Sequence, residues 1–203
     1  PGIFIMRDLA GSVIYVGKSV RLRDRVGTYF ARRSERSEKT KRILDRIWSM
    51  DVTEVGSELE ALILEARLIE SCRPEFNTQV EVHEGQAPGR LSDRCVLLLP
   101  SVDPESVELF CVSGDDAVTQ IRMKKDLEDW EAGFQRVESD LNAKGGEPRS
   151  ADARILRGWM SGKEDRVNWV DVDSVGGGSD LAGILKDYID GFREEGWERV
   201  WRV

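Results

Sequence analysis

Apolar and polar positions set the first elements. "IFIMR" (3–7) and "VIYVG" (13–17) are rich in β-branched and aromatic residues, and "DLAGS" between them reads as a turn, so the spacing predicts a β-hairpin. The period then lengthens. In "RLRDRVGTYF" (21–30), Leu22, Val26 and Phe30 recur at helical spacing, with Arg21 and Arg25 on a neighbouring face. A polar, charged loop follows over 31–38. "KTKRILDRIW" (39–48) reads as a second helix that turns Ile43, Leu44 and Ile47 to a core, and "MDVTEV" (50–55) as a third strand.

The next helix is the best signalled. Ser57 and Glu60 form an S-x-x-E capping box before "ELEALILEARLIESC". At 100° per residue Leu59, Leu62, Ile63, Ala66 and Ile69 share one side, while Leu64 and Leu68 lie opposite, so the helix expects cover on two faces. Glu65 interrupts this apolar surface. It reads as a fringe residue reaching solvent, as an ion-pair partner of Arg67 or Arg73, or as a metal or proton ligand in a cleft. Pro74 bars continuation of the helix.

Residues 81–93, "EVHEGQAPGRLSD", read as a linker, with His83 an exposed polar residue. The pattern then restarts. Strands are expected over 94–99, 107–114 and 117–123, and a helix over 124–142 carrying Leu127, Trp130, Phe134, Val137 and Leu141. After the loop "KGGEPRS" come a short helix (151–160), a strand (166–172), a "GGGS" turn with Ser179 as N-cap, a helix (180–192) and a last strand (197–203). This order argues for two domains, 1–80 and 94–203, and for an α+β or α/β layer in the second. It also matches a ribonuclease-H-like strand order. Such nucleases need a carboxylate on the first strand, and "RCVLLL" has none; Asp171 and Asp173 read as edge or solvent positions.

Composition narrows the class. Of 203 residues, 40% are hydrophobic and 33% charged, as in globular proteins. The longest apolar run, Cys95–Leu99, is too short to span a membrane, and no signal peptide is visible, so the expected setting is cytoplasmic. Three cysteines (Cys72, Cys95, Cys111) without metal spacing agree with a reducing compartment. His83 is the sole histidine, which excludes His-rich metal sites. The chain begins at Pro1 rather than Met, as a piece of a longer protein would.

Charge is uneven. Residues 1–80 carry 14 Lys/Arg and 12 Asp/Glu, net +2; residues 81–203 carry 16 and 26, net −10. Lys18–Arg46 alone holds 11 basic and 4 acidic residues, net +7. A basic segment beside an acidic remainder is what an anionic polymer would select, although a solvated helix face gives the same pattern. Gly17-Lys18-Ser19 is not the tail of a P-loop. That loop needs a glycine where Ser12 stands, and Gly11 is one residue out of register.

These residues also carry a resemblance. "GIF" (2–4) and "YVG" (15–17), "GKSVRLRDRV" (17–26) and "EALILEARLIESCRPEFN" (60–77) together resemble the GIY-YIG nuclease superfamily, in particular the amino-terminal incision domain of UvrC-type excinucleases. The likeness covers about residues 1–80. It implies an α+β fold with a central three-stranded antiparallel sheet flanked by helices, and a metal-dependent DNA endonuclease of repair or of branched-DNA processing, nucleoid-associated. It assigns the family's tyrosine to Tyr15, its arginine to Arg25, its metal-binding glutamate to Glu65 and its asparagine to Asn77. One divalent ion, Mg²⁺ or Mn²⁺, would sit on Glu65 and keep most of its waters. Arg25 would lie over the phosphate. Tyr15 would take the water's proton, helped by the metal or by Lys18 as a phosphate-side cation, and Asn77 would orient the glutamate or the metal water. Lys18, Arg21, Arg23, Arg32, Arg33, Lys41 and Arg42 would follow the DNA, a damaged or branched duplex.

One position departs from the family. Its first motif usually ends in tyrosine, and here it ends in Phe4. A hydroxyl is therefore missing, which keeps open the alternative of a catalytically weak or inactive DNA-binding or scaffold module. The second half is similar to the region after the GIY-YIG module in bacterial proteins that join a proofreading-type exonuclease to a UvrC-like nuclease, which implies a missing amino-terminal domain. Its net −10 disfavours lying along DNA and favours a protein partner.

Overall fold

The computed structural model describes residues 1–31, 36–77, 91–143 and 151–194, with side chains to residue 192. The chain divides into two compact units, Pro1–Val82 and His83–Val203.

The first unit is built on strands β1 (Gly2–Arg7), β2 (Val13–Ser19) and β3 (Ser49–Glu54), ordered β2-β1-β3 and antiparallel throughout. Helices α1 (Leu22–Phe30) and α2 (Glu38–Arg46) lie between β2 and β3 in the chain, and α3 (Glu58–Cys72) follows β3. Asp8 closes the β1–β2 turn by accepting from the amides of Ala10 and Ser12. Ser37 caps α2, its Oγ accepting from the Thr40 N–H at 3.1 Å. The capping box forms with a shift: Ser57 Oγ accepts from the Glu60 N–H, while the Glu60 carboxylate reaches back to the Gly56 amide at 2.9 Å.

Alternation along β1 sends its side chains to two faces. Phe4 and Met6 join Tyr15, Tyr29, Ile43 and Phe76, with Leu22, Val26, Leu44 and Ile47 packed around them. Ile3 and Ile5 meet Val55, Ala61, Leu64 and Leu68, so the second apolar stripe of α3 is the one that covers this face. The expected partition of α1 is corrected here. Tyr29 is buried and Phe30 is 54% exposed, so the core position falls seven residues after Leu22, not eight.

The second unit holds β4 (Cys95–Pro100), β5 (Ser106–Val112), β6 (Val118–Lys124) and β7 (Asn168–Asp171), ordered β6-β5-β4-β7. Helices α4 (Trp130–Asn142), α5 (Ala151–Met160) and α6 (Gly178–Glu194) accompany them. Val96, Leu98, Val107, Leu109 and Cys111 form one core with Trp130, Val137, Leu141, Leu181, Leu185 and Ile189 of α4 and α6. Every pairing is antiparallel, β4 with β7 included, so this sheet is α+β rather than α/β. A single crossover helix would return the chain for a parallel strand; two helices between β6 and β7 bring it back to the end it left. The strand order is thus the one a ribonuclease-H-like layer expects, but the direction of β7 is not that of a single-crossover layer.

Two boundaries also shift. Residues 125–129 form turns, because Asp129 accepts from the Lys124 amide and Asp126 from the Glu128 amide, and Leu127 takes a left-handed φ of 65°. The helix therefore starts at Trp130. Ser179 lies inside α6; the first helical hydrogen bond goes to the carbonyl of Gly177, whose φ of 146° suits glycine. Asp173 pairs with Arg94 at 2.8 Å, and Asp171 caps the short turn after β7. The expected last strand (197–203), the "KGGEPRS" loop and most of the linker, with His83, lie outside the described residues. Among the described residues no helix is long and apolar enough to cross a membrane.

Candidate active site

The site grows from a cross-strand pair. Phe4 on β1 stands opposite Gly17 on β2, and the Phe4 ring occupies the space over that glycine, where a Cβ would come 2.5 Å from Cζ. Gly2, at the start of the same strand, is closed in by the Leu22 side chain and the Thr53 carbonyl. The glycines of "GIF" and "YVG" are therefore demanded by packing. With Phe4 seated this way, three aromatic rings converge. Phe4 lies 6.0 Å from Tyr15 and 5.6 Å from Tyr29, and the two tyrosines are 6.2 Å apart, centroid to centroid.

Tyr29 is the residue the sequence reading passed over. Burial raises its hydroxyl pKa well above the usual phenol range. A hydrogen bond to Tyr15 and the nearby Tyr15 and Glu65 charges push the same way, against the lowering effect of Arg25. Tyr29 thus favours its protonated form, with its hydroxyl hydrogen-bonded to Tyr15. The Arg25 guanidinium lies 5.5 Å from the Tyr29 ring centroid, one helical turn back on α1. Tyr15, Arg25 and Glu65 therefore share Tyr29 as a common neighbour. The signal was present, since Tyr29 falls at helical spacing from Arg25 and Leu22; Phe30 beside it masked it.

Glu65 is half-buried in the middle of α3. Among the described residues no group of three or more His, Cys, Asp or Glu could hold a metal, so a cation on Glu65 would find at most one further such side chain beside it. Oxygen donors only, with open coordination filled by water, suit a hard divalent ion such as Mg²⁺.

Asn77 is spent differently from expectation. Its Nδ2 donates to the Val16 carbonyl and its Oδ1 accepts from the Val16 amide, both at 2.8 Å. Phe76 adds a backbone bond to Ile14 at 3.0 Å. The segment after α3 thereby clamps the outer edge of β2, the strand that carries Tyr15.

Lys18 is also placed differently. Its cross-strand partner is Ile3, on the face covered by α3, whereas Tyr15 belongs with Phe4 and Met6 on the other face. The cation beside Tyr15 is Lys39 of α2, with Nζ 5.2 Å from the ring centroid. Arg21, just before α1, and Arg23 on it are exposed, Arg21 next to Asp24 at 3.6 Å. Lys41 pairs with Glu38, and Arg42 with Glu75 while lying over Phe76. Arg32 and Arg33 lie outside the described residues.

In the second unit, Glu108 is buried at 1% exposure and held by Ser101, Gln120 and Arg122, a satisfied structural carboxylate.

The amino-terminal unit thus combines a three-stranded antiparallel sheet carrying Tyr15 with Arg25 on α1 and Glu65 on α3. The UvrC-like GIY-YIG domain model matches residues 1–78, so the amino-terminal unit is similar to that family. Relatives include UvrABC system protein C of Gemmatimonas aurantiaca, 44% identical over 77 residues, which are 38% of this chain and 12% of that protein. The same protein of Dehalococcoides mccartyi is 41% identical over 85 residues, 42% of this chain and 14% of that one. The chain thus covers about an eighth of the length of the curated relatives it matches. Among solved structures, the GIY-YIG N-terminal endonuclease domain of UvrC from Thermotoga maritima, bound to magnesium as its catalytic divalent cation, is 37% identical. That match covers 38% of this chain and 83% of that one, with a TM-score of 0.35. A tyrosine-to-phenylalanine mutant of that domain, also bound to its divalent cation, is 35% identical over 39% of this chain and 83% of that one, with a TM-score of 0.36.

Proposed function

We propose that this chain is a metal-dependent DNA endonuclease that hydrolyses one phosphodiester bond per encounter, in nucleotide excision repair or in processing branched DNA, in the cytoplasm at the nucleoid. The observation that carries this reading is the meeting of Tyr15, Arg25 and Glu65 around the protonated Tyr29. Glu65 would hold one Mg²⁺ or Mn²⁺, which when bound supplies charge stabilisation at the phosphate and acidifies water. Tyr15, as its phenolate, accepts the proton of the attacking water, and the hydrogen bond from Tyr29 steadies that phenolate before the transfer. Arg25 offers two parallel N–H donors to the phosphate oxygens. Asn77 fixes β2, and with it Tyr15, by its pair of bonds to Val16. Lys18, Arg21, Arg23, Arg32, Arg33, Lys41 and Arg42 supply positive charge for the DNA backbone.

Residues 1–80 form the nuclease, 81–93 the linker and 94–203 an acidic domain that engages a protein partner, since like charge keeps it off DNA. Phe4 favours a second reading, a DNA-binding scaffold with weak or no chemistry. The two separate in one experiment: the purified chain is incubated with supercoiled plasmid and with end-labelled flap, bubble and lesion-bearing duplexes in Mg²⁺ or Mn²⁺, beside Glu65→Ala. Cutting that disappears with EDTA and in the mutant supports the nuclease. DNA binding without cutting supports the scaffold.

A further inference from the structure

Helix α2 carries a row of which the reading above uses only Arg42. Lys39, Arg42 and Arg46 are spaced i, i+3 and i+7, which places them on one face. Each lies against an aromatic ring: Lys39 is 5.2 Å from the Tyr15 centroid, and Arg42 and Arg46 are 5.2 and 5.9 Å from that of Phe76. At a helical rise of 1.5 Å per residue the row runs for about 10 Å, starting at the Tyr15 ring. Two residues past its end stands Trp48, 71% exposed, and its amide donates to the Arg7 carbonyl at 2.7 Å. That bond sets it beside the β1–β2 turn, whose Leu9 is 74% exposed. Asp8 and Glu75 hold Arg46 at this corner. An exposed indole with an exposed leucine, at the end of a line of cations that begins at the catalytic tyrosine, is the composition of a strand-tracking groove with a stacking platform.

We propose that Trp48 stacks on an unpaired base of the DNA substrate while Lys39, Arg42 and Arg46 follow the phosphates between that base and the scissile bond. This rests on the nuclease reading and names its substrate class: DNA with unpaired nucleotides beside the cut. At about 3.4 Å per nucleotide along one strand, the stacked base lies roughly three to four nucleotides from the scissile phosphate. The charge favours this occupant over a protein. The row is cationic, Arg42 stays 66% exposed and Arg46 44%.

The test is binding in Ca²⁺, read by fluorescence anisotropy, so that cutting plays no part. Wild type, Trp48→Ala and Trp48→Phe are titrated with a fully paired duplex and with the same duplex carrying a short bubble. Trp48→Ala is expected to weaken bubble binding roughly tenfold and to leave duplex binding within about twofold, while Trp48→Phe keeps most of the affinity. A 2-aminopurine in the bubble, three to four nucleotides from the cut, is expected to be quenched by wild type and not by Trp48→Ala. Equal loss on both DNAs, no loss on either, or no DNA binding at all overturns the proposal and leaves Trp48 to a protein contact. A Trp48-dependent preference for the bubble in a chain that never cuts would preserve it while removing the nuclease reading.

Discussion

The ring of Phe4 fills the space over the α-carbon of Gly17 across the β1–β2 pair, and Phe4 is fully buried. Neither partner can move aside: Gly17 is held in the ladder, and the ring is wedged between Tyr15 and Tyr29. Gly17→Ala is therefore expected to lower the unfolding free energy by about 1–3 kcal/mol, the ordinary cost of overpacking a core. Urea unfolding of the two chains measures it. Phe4→Leu combined with Gly17→Ala should recover part of the loss; additive losses would show that the two side chains do not compete for the same space.

Asn77 gives a second prediction. Two hydrogen bonds tie it to Val16, so Asn77→Ala is expected to cost about 2 kcal/mol and to leave the Val16 amide and carbonyl unpaired at the strand edge. Because the clamp acts on the strand of Tyr15 and not on the metal, Mn²⁺ affinity measured by electron paramagnetic resonance should stay within about threefold of wild type. A large drop in Mn²⁺ affinity at unchanged stability would return Asn77 to the role of metal orienter.

The cysteines make a third. Cys72 is exposed, whereas Cys95 and Cys111 are buried, and burial pushes each of the two buried thiols up to about 12. A thiol reagent at pH 8 should therefore label one cysteine in the native chain and three in urea. The linkage has a definite sign. Folded-state values lie above the unfolded ones, so this contribution is complete below about pH 9 and is lost as the pH climbs from about 9 to about 12. Stability that rises across that window would contradict the burial of these thiols.

Tyr29 gives a fourth. Tyr29→Phe keeps the ring packing and removes only the hydrogen bond to Tyr15, so the melting temperature should change little while single-turnover cutting slows about tenfold or more. Since Tyr29 holds its proton far into the alkaline range, that deficit should persist at pH 9. A deficit that vanishes there would mean that Tyr29, not Tyr15, gives up the proton.

Much of this was legible in the chain. The alternation of the first strands, the Ser57 cap and the Pro74 stop gave β1, β2 and α3 nearly residue for residue, because each is governed by local chemistry. The match of "GIF", "YVG" and the Glu65 helix pointed, before any geometry, to the UvrC-like GIY-YIG family whose model matches residues 1–78. What failed depended on tertiary context. Lys18 sits three residues after Tyr15, but strand alternation puts it on the other face, and Lys39, far away in sequence, arrives only when α2 folds over the sheet. Both helices between β6 and β7 are legible in the pattern, but the antiparallel direction of β7 against β4 follows from how they pack, which periodicity within one element cannot report. The family's asparagine is counted with its site, and the strand-edge bonds that the Asn77 amide makes to Val16 are a contact that spacing alone does not report.

The central claim is that Glu65 carries the metal that drives incision. It is tested most directly by the single-turnover cutting rate of a labelled bubble duplex, followed over a Mg²⁺ titration for wild type and Glu65→Gln at matched stability. The expected result is a saturable Mg²⁺ dependence in wild type and a loss of at least about a hundredfold in the variant that no Mg²⁺ concentration restores. Cutting by Glu65→Gln at the wild-type rate, or wild-type cutting that persists in EDTA, would contradict it.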